Sequence, residues 1–182
     1  KKNYKTNIVT SFNPANVTYT YACSFEEWGT DVVINKTVRK WDGTLPSPDA
    51  GYTFGDATKN GTSEADAYVI SSAADLAQLT ANVNAGTSYE GKYFKQDIDI
   101  DMDGANHNWT PIGASDTHFK ANYDGGGHRI FNLKATTAGT SFSIAGFFGR
   151  VEGDIEIKNI HVSGDVSSTY ITGGVCGEIS GK

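Results

Sequence analysis

Ile144-Ala145-Gly146-Phe147-Phe148-Gly149-Arg150-Val151-Glu152-Gly153-Asp154 comes back in outline as Thr172-Gly173-Gly174-Val175-Cys176-Gly177-Glu178-Ile179-Ser180-Gly181-Lys182. The offset is 28 (172 minus 144) and holds without a gap. Gly146, Gly149 and Gly153 each fall on glycine, and Val151 falls on Ile179. A short repeat of this period points to stacked coils rather than one globular core. Coils of roughly 20–29 residues must turn corners between short strands. Glycine meets that need through positive φ or close backbone approach.

Working outward, Trp109-Thr110-Pro111-Ile112-Gly113 fills the same slot one step earlier, with Gly113 lying 36 residues before Gly149 (149 minus 113). The second repeated segment reads as Ile130-Phe131-Asn132-Leu133 against Ile157-Lys158-Asn159-Ile160, with an Asn suited to the left-handed region between aliphatics. From Gly113 to Ile130 is nine residues longer than from Gly149 to Ile157 (17 minus 8). That insertion, around 119–128, is expected to be an extra strand with a hairpin turn at Gly125-Gly126-Gly127, and to offer a binding edge.

Lys92–Met102 alternates, with Phe94, Ile98, Ile100 and Met102 on one side and Asp97, Asp99, Asp101 and Asp103 on the other. Before it, Ser72 and Asp75 form a capping-box-like start, and Leu76, Leu79 and Val83 make one apolar helical face. Asn84-Ala85-Gly86 stops the helix. A short helix with one apolar stripe is expected to cover the open end of the stack.

Residues 1–45 read as antiparallel strands. Val17–Phe25 alternates strictly, and Val32–Trp41 follows as a third strand. Residues 46–66, rich in Gly, Pro, Ser, Thr, Asp and Asn, read as a linker, and 67–182 as the stack. The chain is 182 residues long with net charge -6, which argues against a nucleic-acid surface, and it holds no apolar run long enough to span a bilayer. Cys23 and Cys176 read as small buried residues rather than a disulfide.

Gly61–Ser71, Asp75-Leu76-Ala77, Tyr89–Phe94, Asp97–Ile100, Trp109–Gly113, Tyr123–Ile130 and Ile144–Gly149, taken as an ordered series over about 61–182, resemble bacterial GLUG-type repeat proteins. The resemblance implies an all-β fold: a right-handed parallel β-helix, or solenoid, with an N-terminal capping helix. It implies a bacterial cell-surface or secreted setting, as in adhesins and as accessory regions of some secreted peptidases. Residues 1–45 resemble, more weakly, the last strands of a fimbrillin-like β-sandwich. The stop at Lys182, inside a repeat, reads as truncation at the C-terminus.

Asp99-Ile100-Asp101-Met102-Asp103-Gly104 matches the start of a calcium loop, but Thr110 stands where the bidentate Glu is required. The expectation is therefore an acidic strand face, with no metal ligands assigned. His107, His118, His128 and His161 have no ligand spacing. Arg129, Lys134, Arg150 and Lys158 lie near Glu152, Asp154 and Glu156 in sequence without being placed together. Tyr89, Tyr93, Trp109, Tyr123 and Tyr170 are of a type that stacks on sugars, although most are expected to pack. Four sequons, at Asn16, Asn35, Asn60 and Asn108, are discounted.

No catalytic, cofactor-binding or metal residue is assigned, and no cofactor. The expected function is a non-enzymatic surface module for adhesion, taking an extracellular glycan or a host or bacterial surface protein as partner. The alternatives are a polysaccharide lyase or hydrolase, or an accessory domain of a secreted peptidase.

Overall fold

A computed structural model describes residues 38–114, 116–137 and 143–181. In chain order the elements are β1 (Val38–Lys40), β2 (Tyr68–Ile70), helix α1 (Ala73–Asn84), β3 (Tyr93–Gln96), β4 (Asp99–Asp101), β5 (Asn122–Asp124) and β6 (Arg129–Thr137). They continue with β7 (Ile144–Ala145), β8 (Phe148–Glu152), β9 (Ile157–Lys158), β10 (His161–Ser168), β11 (Ile171–Thr172) and β12 (Cys176–Ser180).

The fold is β-rich, with one α-helix among the described residues. The strands form four sheets, in the orders β2-β3-β5-β9, β1-β4-β6-β10, β7-β11 and β8-β12. All their pairings are parallel. Partners lie far apart in sequence: Tyr68 pairs with Phe94, Phe94 with Tyr123, and Tyr123 with Ile157. Each such crossover beyond β3 is made through strands of other sheets, not through a helix.

The repeat read from the sequence is a strand pair. Cys176 faces Phe148, Glu178 faces Arg150, Ile179 faces Val151 and Ser180 faces Glu152, all at an offset of 28. The earlier slot joins the same ladder through an Ile112–Phe148 bridge, at an offset of 36 (148 minus 112). Gly149 is required there by close approach: a Cβ would lie 2.6 Å from the Gly113 carbonyl oxygen. The match slips at its start, because Ile144 and Ala145 pair with Ile171 and Thr172, an offset of 27.

The insertion is corrected. β5 is a regular member of its sheet between β3 and β9, so it is no extra strand. Gly125–Gly127 joins β5 to β6 in a different sheet, so it turns a corner and is not a hairpin. The added length in the first slot lies in 114–118, since the ladder offset falls from 36 at Ile112 to 32 at Phe119 (151 minus 119).

The second repeated segment is also corrected. Ile157 and Lys158 pair with Tyr123 and Asp124, whereas Ile130 pairs with Ile100 and Val162. What Asn132 and Asn159 share is local chemistry. Both have positive φ, at 55° and 52°. Asn132 Nδ2 donates to Asp101 Oδ1 (3.0 Å), and Asn159 Nδ2 to Asp124 Oδ1 (2.9 Å). Each Asp oxygen also accepts the N–H two residues on, from Asp103 and from Gly126. The same corner is built in two different sheets.

Lys92–Met102 is two strands of two sheets, β3 and β4, not one alternating strand. Asp99 therefore leaves the expected solvated face: it is 1% exposed and accepts from Arg129 Nε (3.0 Å) and Arg129 N (3.1 Å).

α1 forms as the sequence indicates. Ser72 Oγ accepts from Asp75 N, and Asp75 Oδ2 accepts from Ser71 N, Ser71 Oγ and Ser72 Oγ. Leu76, Leu79 and Val83 are fully buried. The helix is also covered on its polar side by 46–54. Gln78 Nε2 donates to Ser47 O, and Asn82 exchanges hydrogen bonds with the backbone of Asp49 at 2.6 and 2.7 Å. Trp41 and Phe54 sit in the same hydrophobic core as Phe94, Trp109, Phe147 and Phe148. The antiparallel strands expected within 1–37, with Cys23, lie outside the described residues. The end of the third, β1, runs parallel to β4.

Candidate functional site

Alternation in β3, β5 and β9 turns every second side chain out of the core. Register then lines these side chains up in two rows. One is Tyr93 and Asn122, with Glu156 beside Asn122; the other is Lys95, Asp124 and Lys158. The rows line a shallow depression of about 60 Å³, completed by Glu64 and Ala67. A site that encloses a small molecule has roughly 300–1,000 Å³. This one is an open groove on a sheet face, able to hold parts of a larger ligand.

Glu64 comes from the 3-10 turn Glu64–Asp66, 94 residues from Lys158. Lys158 Nζ nonetheless reaches Glu64 Oε1 at 2.8 Å and Glu156 Oε2 at 3.0 Å. These hydrogen bonds, to Glu64 first and then Glu156, push the Lys158 pKa up and hold it as the ammonium. Burial pushes the Asp124 carboxyl up, but the Asn159 amide, the Gly126 N–H and nearby lysines outweigh it and hold it below the ordinary value. Both groups are thus fixed in their charged forms. Three carboxylates against two lysines leave the groove with a charge of -1 (two minus three).

Asn122 is occupied structurally, its Oδ1 accepting from Glu156 N at 2.8 Å. Tyr93 is half-buried at the groove edge and offers a ring face and a hydroxyl. The other candidate aromatics mostly pack. Trp109 and Tyr123 are 1% exposed, and Tyr89 belongs to a ring cluster with Phe54, Tyr68 and Phe94. Tyr170 is exposed, away from the groove lining.

The basic residues flagged in sequence go to separate places. Arg129 binds Asp99, Arg150 binds Glu178 and Asp116, and Lys158 alone lies in the groove. Lys134 lines a wider hollow of about 490 Å³ with Asp103 and Asp165. Asp103 there is engaged by Lys40 at 3.0 Å and by Asn106. Asp99, Asp101 and Asp103 point to different partners: Arg129, Asn132 and Lys40. Among the described residues no cluster of three or more His, Cys, Asp or Glu is arranged to hold a metal ion. His107, His118 and His128 each approach a carboxylate, of Asp103, Glu152 and Asp99 respectively.

Sequence reasoning missed Lys95, Asn122, Asp124 and Glu64 as parts of one surface. The available signal was an outward polar or aromatic pair two residues apart on each strand: Tyr93/Lys95, Asn122/Asp124 and Glu156/Lys158. Among the described residues no helix is long and apolar enough to cross a membrane. No family model, curated protein or solved structure matches this chain.

Proposed function

We propose that the chain is a non-enzymatic module of a bacterial cell-surface or secreted protein, built as a right-handed parallel β-helix of the GLUG-repeat type. Its groove along β3, β5 and β9 binds an extracellular glycan, or a surface protein, in adhesion. From β3 onward, parallel pairings at offsets of 27 to 36 residues, with crossovers that run through other strands, support the architecture.

The observation that carries the binding reading is the open groove edged by Tyr93 and lined by registered polar rows. An aromatic face beside hydrogen-bonding groups suits the apolar face and hydroxyl rim of a sugar ring. A carboxylate accepts hydroxyl hydrogens and an ammonium donates to ring and hydroxyl oxygens, so a hydroxyl-rich chain finds both partners.

The second reading is a polysaccharide lyase or hydrolase. Three carboxylates and two lysines in one groove favour it. Against it, Lys158 is held protonated and so is a poor base, and Asp124 is held ionised and so is a poor acid. A glycan array combined with a polysaccharide-cleavage screen separates the two. The binding module is expected to give array signals that fall at least tenfold in Tyr93→Ala, with no cleavage. Turnover of any polysaccharide, lost in Lys158→Ala, would establish the enzyme instead. Signals unchanged in Tyr93→Ala would remove the groove from the account.

A further inference from the structure

We propose that the groove along β3, β5 and β9 selects neutral glycans and excludes those bearing carboxylate or sulfate, a specificity that rests on its reading as a glycan site. Glu64, Asp124 and Glu156 set that choice.

An acidic sugar needs a cation to receive it, and the groove holds two, Lys95 and Lys158. Lys158 is taken: its ammonium lies 2.8 Å from Glu64 Oε1 and 3.0 Å from Glu156 Oε2. Two carboxylates around one ammonium leave a local charge of -1 (one minus two), so an incoming anion meets repulsion there. Lys95 is exposed and stands opposite Asp124 in register, so a carboxylate on the next strand offsets its charge.

Acceptors are what the groove has to spare. Lys158 engages one oxygen of Glu64 and one of Glu156. Asp124 receives the Asn159 amide and the Gly126 N–H on Oδ1 alone. Glu64 Oε2, Glu156 Oε1 and Asp124 Oδ2 are thus left for donors on the ligand. Sugar hydroxyls are such donors, whereas an ionised carboxylate or a sulfate ester brings acceptors only. The Debye length is about 8 Å at physiological ionic strength, so the groove carboxylates act on a bound ring; at 1 M salt it is about 3 Å and that effect fades.

The test is an array of neutral glycans beside carboxylated and sulfated forms of the same backbones, such as methyl-esterified against free oligogalacturonate and galactan against sulfated galactan. Read with the full chain at low salt, neutral forms are expected to give signals at least tenfold above their acidic counterparts, and to lose them in Tyr93→Ala. Glu64→Gln with Glu156→Gln, both at exposed positions, releases Lys158 and leaves two lysines against Asp124, a groove charge of +1 (two minus one). Acidic forms should then gain at least tenfold, and lose that gain at 1 M salt. Glu90→Gln with Asp154→Asn removes two charges from exposed positions outside the groove and should leave acidic forms excluded. Acidic forms bound as well as neutral ones, with loss in Tyr93→Ala, would overturn the specificity and leave the groove as a glycan site. Acidic forms still excluded by the Glu64 and Glu156 double variant, or admitted equally by the Glu90 and Asp154 one, would take the choice away from the groove carboxylates. Signals indifferent to Tyr93→Ala, or no signal at all, would remove the groove reading and this specificity with it.

Discussion

The two ends of the sheets are built from the same kinds of strand and differ in what lies on them. At one end α1 seals Leu76, Leu79 and Val83 to zero exposure, and the segment 46–54 in turn seals the helix. Asn82, fully buried, links Asp49, Gln78 and Tyr89 through four hydrogen bonds. At the other end β12 lies on β8 and leaves Ile179 mostly in solvent. Along these parallel strands, burial follows coverage more than strand sequence. Val151 and Ile179 are matched β-branched residues whose burial differs almost completely.

The contrast is broken most strongly at the covered end. Leu79→Ala is expected to lower unfolding stability by about 2–5 kcal/mol, because it empties a fully buried site. The matched Ile179→Ala should stay within about 0.5 kcal/mol, as surface changes do. Chemical denaturation of both variants reads the difference directly. Asn82→Ala strips partners from the Asp49 backbone and from Gln78, so a loss of about 1–3 kcal/mol is expected in the same assay.

Titration sharpens the comparison. Tyr52 donates to Asp75 at the covered end, and burial together with that hydrogen bond pushes its pKa from 10.0 to about 12. Between these values the unfolded chain releases the proton while the folded chain keeps it. Stability should therefore be intact below pH 10 and fall as pH rises to about 12. Tyr52→Phe should flatten that limb. Asp124, which holds Asn159 beyond β9, behaves oppositely because its carboxyl is held below 3.8. Its contribution is present above pH 3.8 and is lost as pH falls further, since the unfolded chain takes the proton first. Asp124→Asn should shrink this smaller acid limb, read as the loss of native circular dichroism on acidification.

How much of this was legible depends on range. α1 was readable because its capping box and apolar stripe lie within a dozen residues. The β8–β12 pairing was readable because register holds without a slip from Phe148 to Glu152, as an offset of 28. The Asn132 and Asn159 likeness misled because a left-handed Asn that holds a carboxylate is a property of the corner, and corners recur in more than one sheet. Lys92–Met102 misled in a related way: alternation continued through the bend at Asp97-Ile98, so two strands read as one. The groove was hidden because Glu64, Tyr93, Asp124 and Lys158 meet only once the sheet register is known.

Native-state hydrogen exchange tests the contrast between the ends most directly. Amides of β2, β3 and α1 should exchange only through near-global opening, and those of β8 somewhat faster. Amides of β10 and β12 should exchange fastest of the paired strands, through local opening of the uncovered layer. Uniform protection from β2 to β12, or faster exchange at the α1 end, would contradict the account.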